Sequence, residues 1–407
     1  MPAQARNLLP ELVTLGQKAE TCTRCGSCMT VCPVYRAGRR EELVARGKLN
    51  LIRAAAQGDL EPDRTLVQTL SRCLLCGRCS QNCPSEVAAD QLIQAGRAAL
   101  AQRLGAPFVK KLLLEKMLPH PQRLDMAARA GRLARAAVPQ SSGLNLRLLE
   151  GVEKLPPPAS RPFLHQAPRQ VNGPKGAPRL ALFVGCVGNY LRPELMQKAL
   201  KLLSRRYTVL IPPDQGCCGL PAAAAGLDQV ATQLARRNLA SLTACQADLV
   251  VTTCGSCLHA LVELWPRFLP DQKAGKLAGR AREISQLLAE QPGLTPHPGR
   301  PGGPVAVHDP CHLGAGLGIT AEPRRVLESA GLDLVEMEGA DLCCGGGGMF
   351  SLNEPELSQQ VFQPRAQAFN QAGAAVLATS CSGCYIQWRR GLNKNIPVLH
   401  PIELLAE

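Results

Sequence analysis

Aromatic residues are the first scarcity: two Trp, four Tyr and seven Phe, 3% of a 407-residue chain. Platforms for single-stranded nucleic acid stack bases on such rings. Their shortage argues against a nucleic-acid partner even at a formal charge of +14. Long apolar runs are missing too, and no uninterrupted stretch approaches the roughly 18 to 20 residues that cross a bilayer. The opening MPAQARNLLPELVTLG lacks the basic-then-apolar layout of a secretory signal, so the expectation is a cytoplasmic chain. Nucleotide and flavin frames are absent as well. GAGLG at 314–318 and GGGGMF at 345–350 have neither the Gly-Lys-Ser/Thr ending nor the strand-led Gly-x-Gly-x-x-Gly. Hydride chemistry must therefore sit on another chain.

Cysteine, by contrast, is abundant, with 19 residues. In a reducing compartment, clustered cysteines bind metal or do redox work more often than they form disulfides. The run Cys22-x2-Cys25-x2-Cys28-x3-Cys32-Pro33 recurs as Cys73-x2-Cys76-x2-Cys79-x3-Cys83-Pro84. This is the bacterial 4Fe–4S spacing, in which three close thiolates wrap one cluster and the fourth, carried off by its proline, ligates the other. Cys22, Cys25, Cys28 and Cys83 are expected to hold one cluster, and Cys73, Cys76, Cys79 and Cys32 the second. Zinc sites lack the third in-phase cysteine and the proline. Each loaded cubane carries roughly −2, so two lower the charge to about +10. The remainder suits an acidic partner or an anionic membrane face, or serves solubility alone.

Between the runs, ELVARGKLNLIRAAAQGDLEPDRTLVQTLSRC has apolar residues at three- and four-residue intervals. It reads as two helices joined at GDLEPD, with Glu61-Pro62 as a helix start, and makes residues 1–95 a helical ferredoxin domain. Residues 97–150 hold ten Lys or Arg against Glu115, Asp125 and Glu150. They read as basic amphipathic helices, lying on a membrane or partner or packed as a solvated linker. The proline-rich KLPPPASRPFLHQAPRQVNGPKGAP then completes a bridge spanning 96–175.

The remainder repeats itself. Cys186 maps to Cys311 at an offset of 125, Cys217 to Cys343 at 126 and Cys254 to Cys381 at 127. The tails ISQLLAE and PIELLAE also correspond. Two homologous domains follow, 176–295 and 296–407. Each reads as alternating strands and helices, with Val- and Leu-rich strands that suggest parallel sheets covered on both faces. The fold class is therefore multidomain α plus α/β. The cysteine sets are Cys186, Cys217, Cys218, Cys254 and Cys257, then Cys311, Cys343, Cys344, Cys381 and Cys384, all at or just past strand ends. Five thiols exceed a closed zinc site. A cluster with bridging thiolates would use all five; zinc plus buried small thiols is the alternative. Cys245 falls outside the pattern and reads as core, and His259, His308 and His312 read as neighbours rather than ligands.

Paired ferredoxin runs followed by two CCG repeats resemble the iron–sulfur subunit family of bacterial glycolate oxidase, over essentially the whole chain and most weakly between 96 and 175. Related architectures occur in partners of D-lactate dehydrogenases, in the anaerobic glycerol-3-phosphate dehydrogenase and in heterodisulfide reductases. The resemblance implies an electron-transfer subunit served by flavin-binding oxidase subunits that oxidise a 2-hydroxy acid, here glycolate. Electrons would pass through two 4Fe–4S clusters towards a membrane quinone, with peripheral contact on the cytoplasmic face of the inner membrane. It also implies one or two noncubane clusters, or zinc, in the CCG domains. Service to D-lactate or glycerol-3-phosphate oxidation, or a catalytic role like that of heterodisulfide reductase, is the alternative.

Overall fold

A computed structural model describes residues 10–137, 156–291 and 293–406. The chain forms two compact units. One comprises the segment ending at Glu115 together with Pro221–Val230 and Leu342–Pro364; the other comprises Lys116–Leu220, Ala231–Asp341 and Arg365–Glu407. Residues 138–155, the later part of the basic bridge, lie outside the described residues.

The first unit is built on helices Pro10–Ala19, Ala45–Gln57, Arg64–Ser71 and Ala89–Leu104. In Ala45–Gln57 the buried Leu49, Ile52, Ala55 and Ala56 fall on one face, the spacing that turns an apolar stripe inward. Small residues bring this helix close to the first: a Cβ on Gly16 would stand 2.4 Å from that of Ala56. Gly58, at φ 77°, stops the helix. The next begins two residues later than Glu61-Pro62 suggests, because Asp63 caps it by accepting from the Leu66 amide at 2.8 Å. Among the described residues this unit has no strand, as expected of a helical ferredoxin domain.

The second unit carries two sheets. The first contains β1 (Gln170–Val171), β2 (Arg179–Phe183), β3 (Thr208–Leu210), β4 (Leu249–Thr252) and β5 (Ala281–Glu283), in the order β1-β3-β2-β4-β5. The second contains β6 (Val305–His308), β7 (Leu334–Val335), β8 (Val376–Thr379) and β9 (Val398–Leu399), in the order β7-β6-β8-β9. Without β1 the two orders are the same, as duplication requires. The second sheet is parallel throughout. The first is mixed, because β1, taken from the proline-rich bridge, pairs antiparallel along the free edge of β3. An edge accepts such a strand without interrupting the ladder behind it.

One hydrophobic core serves both repeats of this unit: Leu180, Leu182, Leu195 and Ile284 of the first repeat with Val305, Val326, Leu327 and Ile402 of the second. The corresponding tails also meet. Glu283 caps helix Ile284–Leu288, His400 caps the turn Pro401–Leu404, and the two buried side chains approach to 3.4 Å. The sheets thereby present the cysteine-bearing loops, which leave the C-terminal ends of β2, β3, β4, β6 and β8.

Candidate metal centres

Each ferredoxin run wraps by the same backbone device. Arg24 and Leu75, directly before the second cysteine, take left-handed φ values of 57° and 52°; Gly26 and Gly77, directly after it, take 90° and 75°. Alternating handedness curls a loop so that successive side chains and amides converge. Backbone N–H groups then reach sulfur: Tyr35 to Cys32, Leu75 to Cys73 and Val87 to Cys83, each at 3.4 Å. Amides aimed at sulfur favour thiolate over thiol, the form that binds iron. The donor set fits iron–sulfur ligation.

A cavity is lined by Cys32, Cys73, Cys76 and Cys79, so the fourth cysteine of the first run stands with the second. Burial raises Cys32 and Cys79, and Cys73 adds to both shifts. Four thiols in such a pocket cannot all ionise without a cation among them. At the other site burial raises Cys22, with further contributions from Cys83 and Cys25, so Cys83 stands with the first run. Cys25 is exposed, and the Ser27 hydroxyl lowers it. Asn82 donates to the Ser27 carbonyl at 2.8 Å and fastens the two runs together.

Gly77 has no atom within 4 Å of where a Cβ would sit. Gly77→Ala therefore tests backbone strain alone. It is expected to lower the stability of the anaerobic chain by about 1 kcal/mol, read as a lower urea midpoint with iron content unchanged.

In the CCG repeats the thiols form a chain. Cys217 hydrogen-bonds to Cys186 and lowers it; Cys217 and Cys257 hydrogen-bond to Cys218 and hold it well below the ordinary thiol range. Cys254 is lowered by its bond to Cys257, but the bond to Cys381 and burial outweigh that and raise it. Cys381 is lowered by Cys254 and then by Cys384. The connection runs Cys186, Cys217, Cys218, Cys257, Cys254, Cys381, Cys384 and crosses from one repeat to the other. It does so reciprocally. The Ser382 amide donates to Cys254 Sγ at 3.4 Å, and Ser256 Oγ lies 3.1 Å from Cys381 Sγ. Cys311 is buried in the same unit. Cys343 and Cys344 belong to the first unit, where Cys343 helps to raise Cys76, after burial.

Supporting residues fix these loops. Gln215 accepts from the Val184 amide and donates to the Leu182 and Pro212 carbonyls. Trp265 Nε1 donates to the Cys218 carbonyl at 2.9 Å, and Asn238 to that of Cys217 at 2.8 Å. Gly219 follows the cysteine pair at φ 90°, a left-handed turn that glycine adopts readily, and the two adjacent thiols hydrogen-bond to each other. His259 and His312 stack with ring centroids 4.7 Å apart, and Ser256 Oγ bonds His312 Nδ1 at 3.0 Å. Burial depresses His259 to about 3, which keeps it neutral. His308 bonds Thr379 at 3.1 Å in the core. Ser256 is missed by sequence reasoning, although its place between two cysteines in CGSC is a signal. Cys245 lies half-buried just past helix Asp228–Ala244 and joins no site.

A 4Fe–4S dicluster domain matches residues 18–87, and a cysteine-rich domain named for its CCG motif matches 180–262 and again 305–389. The chain is 32% identical to the probable glycolate oxidase iron–sulfur subunit of Bacillus subtilis, over 95% of this chain and 93% of that one. It is 26% identical to the glycolate oxidase iron–sulfur subunit of Escherichia coli, covering 89% and 88%. To a subunit of the dihydromethanophenazine:CoB–CoM heterodisulfide reductase of Methanosarcina acetivorans it is 25% identical, covering 95% and 93%. These relatives are oxidoreductase subunits, and no helix among the described residues is long and apolar enough to cross a membrane. With its dicluster ferredoxin domain and duplicated cysteine-rich domains, the chain belongs to the glycolate oxidase iron–sulfur subunit family.

Proposed function

We propose that this chain is the electron-carrying subunit of a complex in which flavin-binding partners oxidise a 2-hydroxy acid, glycolate first among the candidates, and pass electrons on towards membrane quinone. The observation that carries the reading is the exchange of fourth cysteines: Cys32 stands with Cys73, Cys76 and Cys79, and Cys83 with Cys22. Two such sites side by side suit single-electron relay, which is what bound 4Fe–4S clusters supply. Cys22, Cys25, Cys28 and Cys83 would hold one, and Cys73, Cys76, Cys79 and Cys32 the other. Exposed Met126 and Leu133, seven residues apart on the basic helix Pro121–Ala137, support a peripheral contact with the cytoplasmic face of the inner membrane. Purified anaerobically with its partners, the complex should bleach its visible iron–sulfur absorbance on addition of glycolate or D-lactate. Absorbance unmoved by any 2-hydroxy acid defeats the proposal.

A second reading has its own observation. The thiol chain from Cys186 to Cys384 has more sulfur than zinc takes, so an iron–sulfur centre with bridging thiolates fits it. On this reading the chain cleaves disulfides, as heterodisulfide reductases do. Disulfide reduction by the isolated chain with an artificial donor supports it, and its absence removes it.

A further inference from the structure

Two cations are buried beside the second ferredoxin site. Lys48 is wholly buried, and its ammonium donates at 2.7 Å to the carbonyl of Glu42, the residue before Leu43, which lines the cavity with Cys32, Cys73, Cys76 and Cys79. Arg97 is 6% exposed and donates to the carbonyls of Leu70, Cys73 and Ala224. Neither is hydrogen-bonded to a carboxylate in these contacts. Burial lowers Lys48 to about 8, and the thiolates of Cys73 and Cys32 oppose that. The same Cys73 opposes the desolvation of Arg97. Asp90, hydrogen-bonded to Ser80, is the acid that faces Cys79; Glu42 pairs with Arg40 at 2.9 Å. Among these groups the balance is one positive charge in excess. Desolvated cations are costly unless negative charge sits close by, and a thiolate-ligated cluster is such a charge.

The first site is made differently. Its nearby cations are Arg46 and Arg53; Arg46 is half-buried and gripped by both oxygens of Glu41, at 2.7 and 3.0 Å. That carboxylate weakens the field of Arg46, which still lowers Cys22 and Cys28.

We propose that Lys48 and Arg97 set the reduction potential of the second site, holding it above that of the first so that electrons collect there. The inference rests on the relay reading above. Reduction adds one negative charge and makes no bond, so a fixed positive charge stabilises the reduced form more than the oxidised one. Burial acts in the opposite sense, because low dielectric disfavours the more highly charged reduced state. The excess positive charge of these groups opposes that effect. In the transfer, one electron leaves the first site and arrives at the second; no proton moves, and the flavoprotein partner is the reductant. The second site is also the one whose Cys76 is influenced by Cys343, so the electron sink adjoins a CCG loop within its own unit.

The test is redox titration of the anaerobic, cluster-loaded full chain, followed by electron paramagnetic resonance. Lys48→Met removes the charge and nearly keeps the shape; it also leaves the Glu42 carbonyl without its donor, so the midpoint is read only on chain that retains its full iron content. It should lower the midpoint of the second-site signal by at least a tenfold change in equilibrium constant, 59 mV for one electron, and move the first-site signal less. Lys48→Arg should keep the midpoint near that of the parent. Arg46→Gln, which also frees the Glu41 carboxylate, should move the first-site signal less than Lys48→Met moves the second. Midpoints unchanged in loaded Lys48→Met, or a shift confined to the first site, overturn the proposal and leave the relay reading standing. A parent chain that holds no cluster overturns both.

Discussion

Cys32→Ala is expected to abolish the cluster of the second run and spare that of the first. Iron should fall by about four atoms per chain, and the surviving paramagnetic signal should be the one that Cys25→Ala removes. The expectation runs against proximity in sequence, since Cys32 is four residues from Cys28 and 41 from Cys73. It follows from the turn at Cys32-Pro33, where the proline opens helix Pro33–Gly38 and the extended Cys32 backbone swings its sulfur away from its own run. The sulfur then lies in the cavity with Cys73, Cys76 and Cys79, where burial raises it and the Tyr35 amide reaches it. Cys83→Ala is the mirror experiment and should spare the second site. Alanine is the choice because a serine oxygen is itself a metal donor. Were Cys32→Ala and Cys25→Ala to extinguish the same signal, the exchanged-ligand arrangement would be wrong.

Arg97→Ala is expected to be the most destabilising substitution outside the cysteines. Its guanidinium spans carbonyls from three places: Leu70, Cys73 and Ala224. Each buried acceptor left without a donor costs about 1 to 3 kcal/mol, and the arginine stem is lost from the packing, so the total is roughly 3 to 5 kcal/mol. Arg97→Lys should recover only part, because an ammonium cannot imitate a planar fork. Gly226 marks how tightly this seam closes: a Cβ there would meet the Arg97 carbonyl oxygen at 2.6 Å. Urea unfolding of the anaerobic chain gives the measurement. A loss below about 1 kcal/mol, the size of a single ordinary hydrogen bond, would mean that water replaces the guanidinium.

What can be read from the sequence is what chemistry fixes in one dimension. A cluster needs thiolates at set intervals, so Cys22 to Cys83 stand out; a buried helix face needs apolar residues every third or fourth place, so Ala45–Gln57 does too. Duplication dictates the common strand order of the two sheets, since corresponding segments fold alike. The docking of one repeat on the other leaves no such periodic trace. Cys254 and Cys381 are 127 residues apart, and only the packing of the sheets brings them into hydrogen-bond contact. Lys48 and Arg97 are illegible for a different reason. A lone basic residue on an alanine-rich helix looks solvated until neighbouring loops are seen to cover it. β1 escapes notice because two residues of a proline-rich bridge carry no alternation, and its pairing comes wholly from the open edge of β3.

The unit that holds the two ferredoxin runs borrows Leu342–Pro364 from late in the chain, and Arg72 of that unit pairs with Glu354 at 3.2 Å. A ribosome must therefore translate almost the whole message before this unit has all its parts. The eight N-terminal thiols are thus synthesised well before the last segment of the unit that holds them.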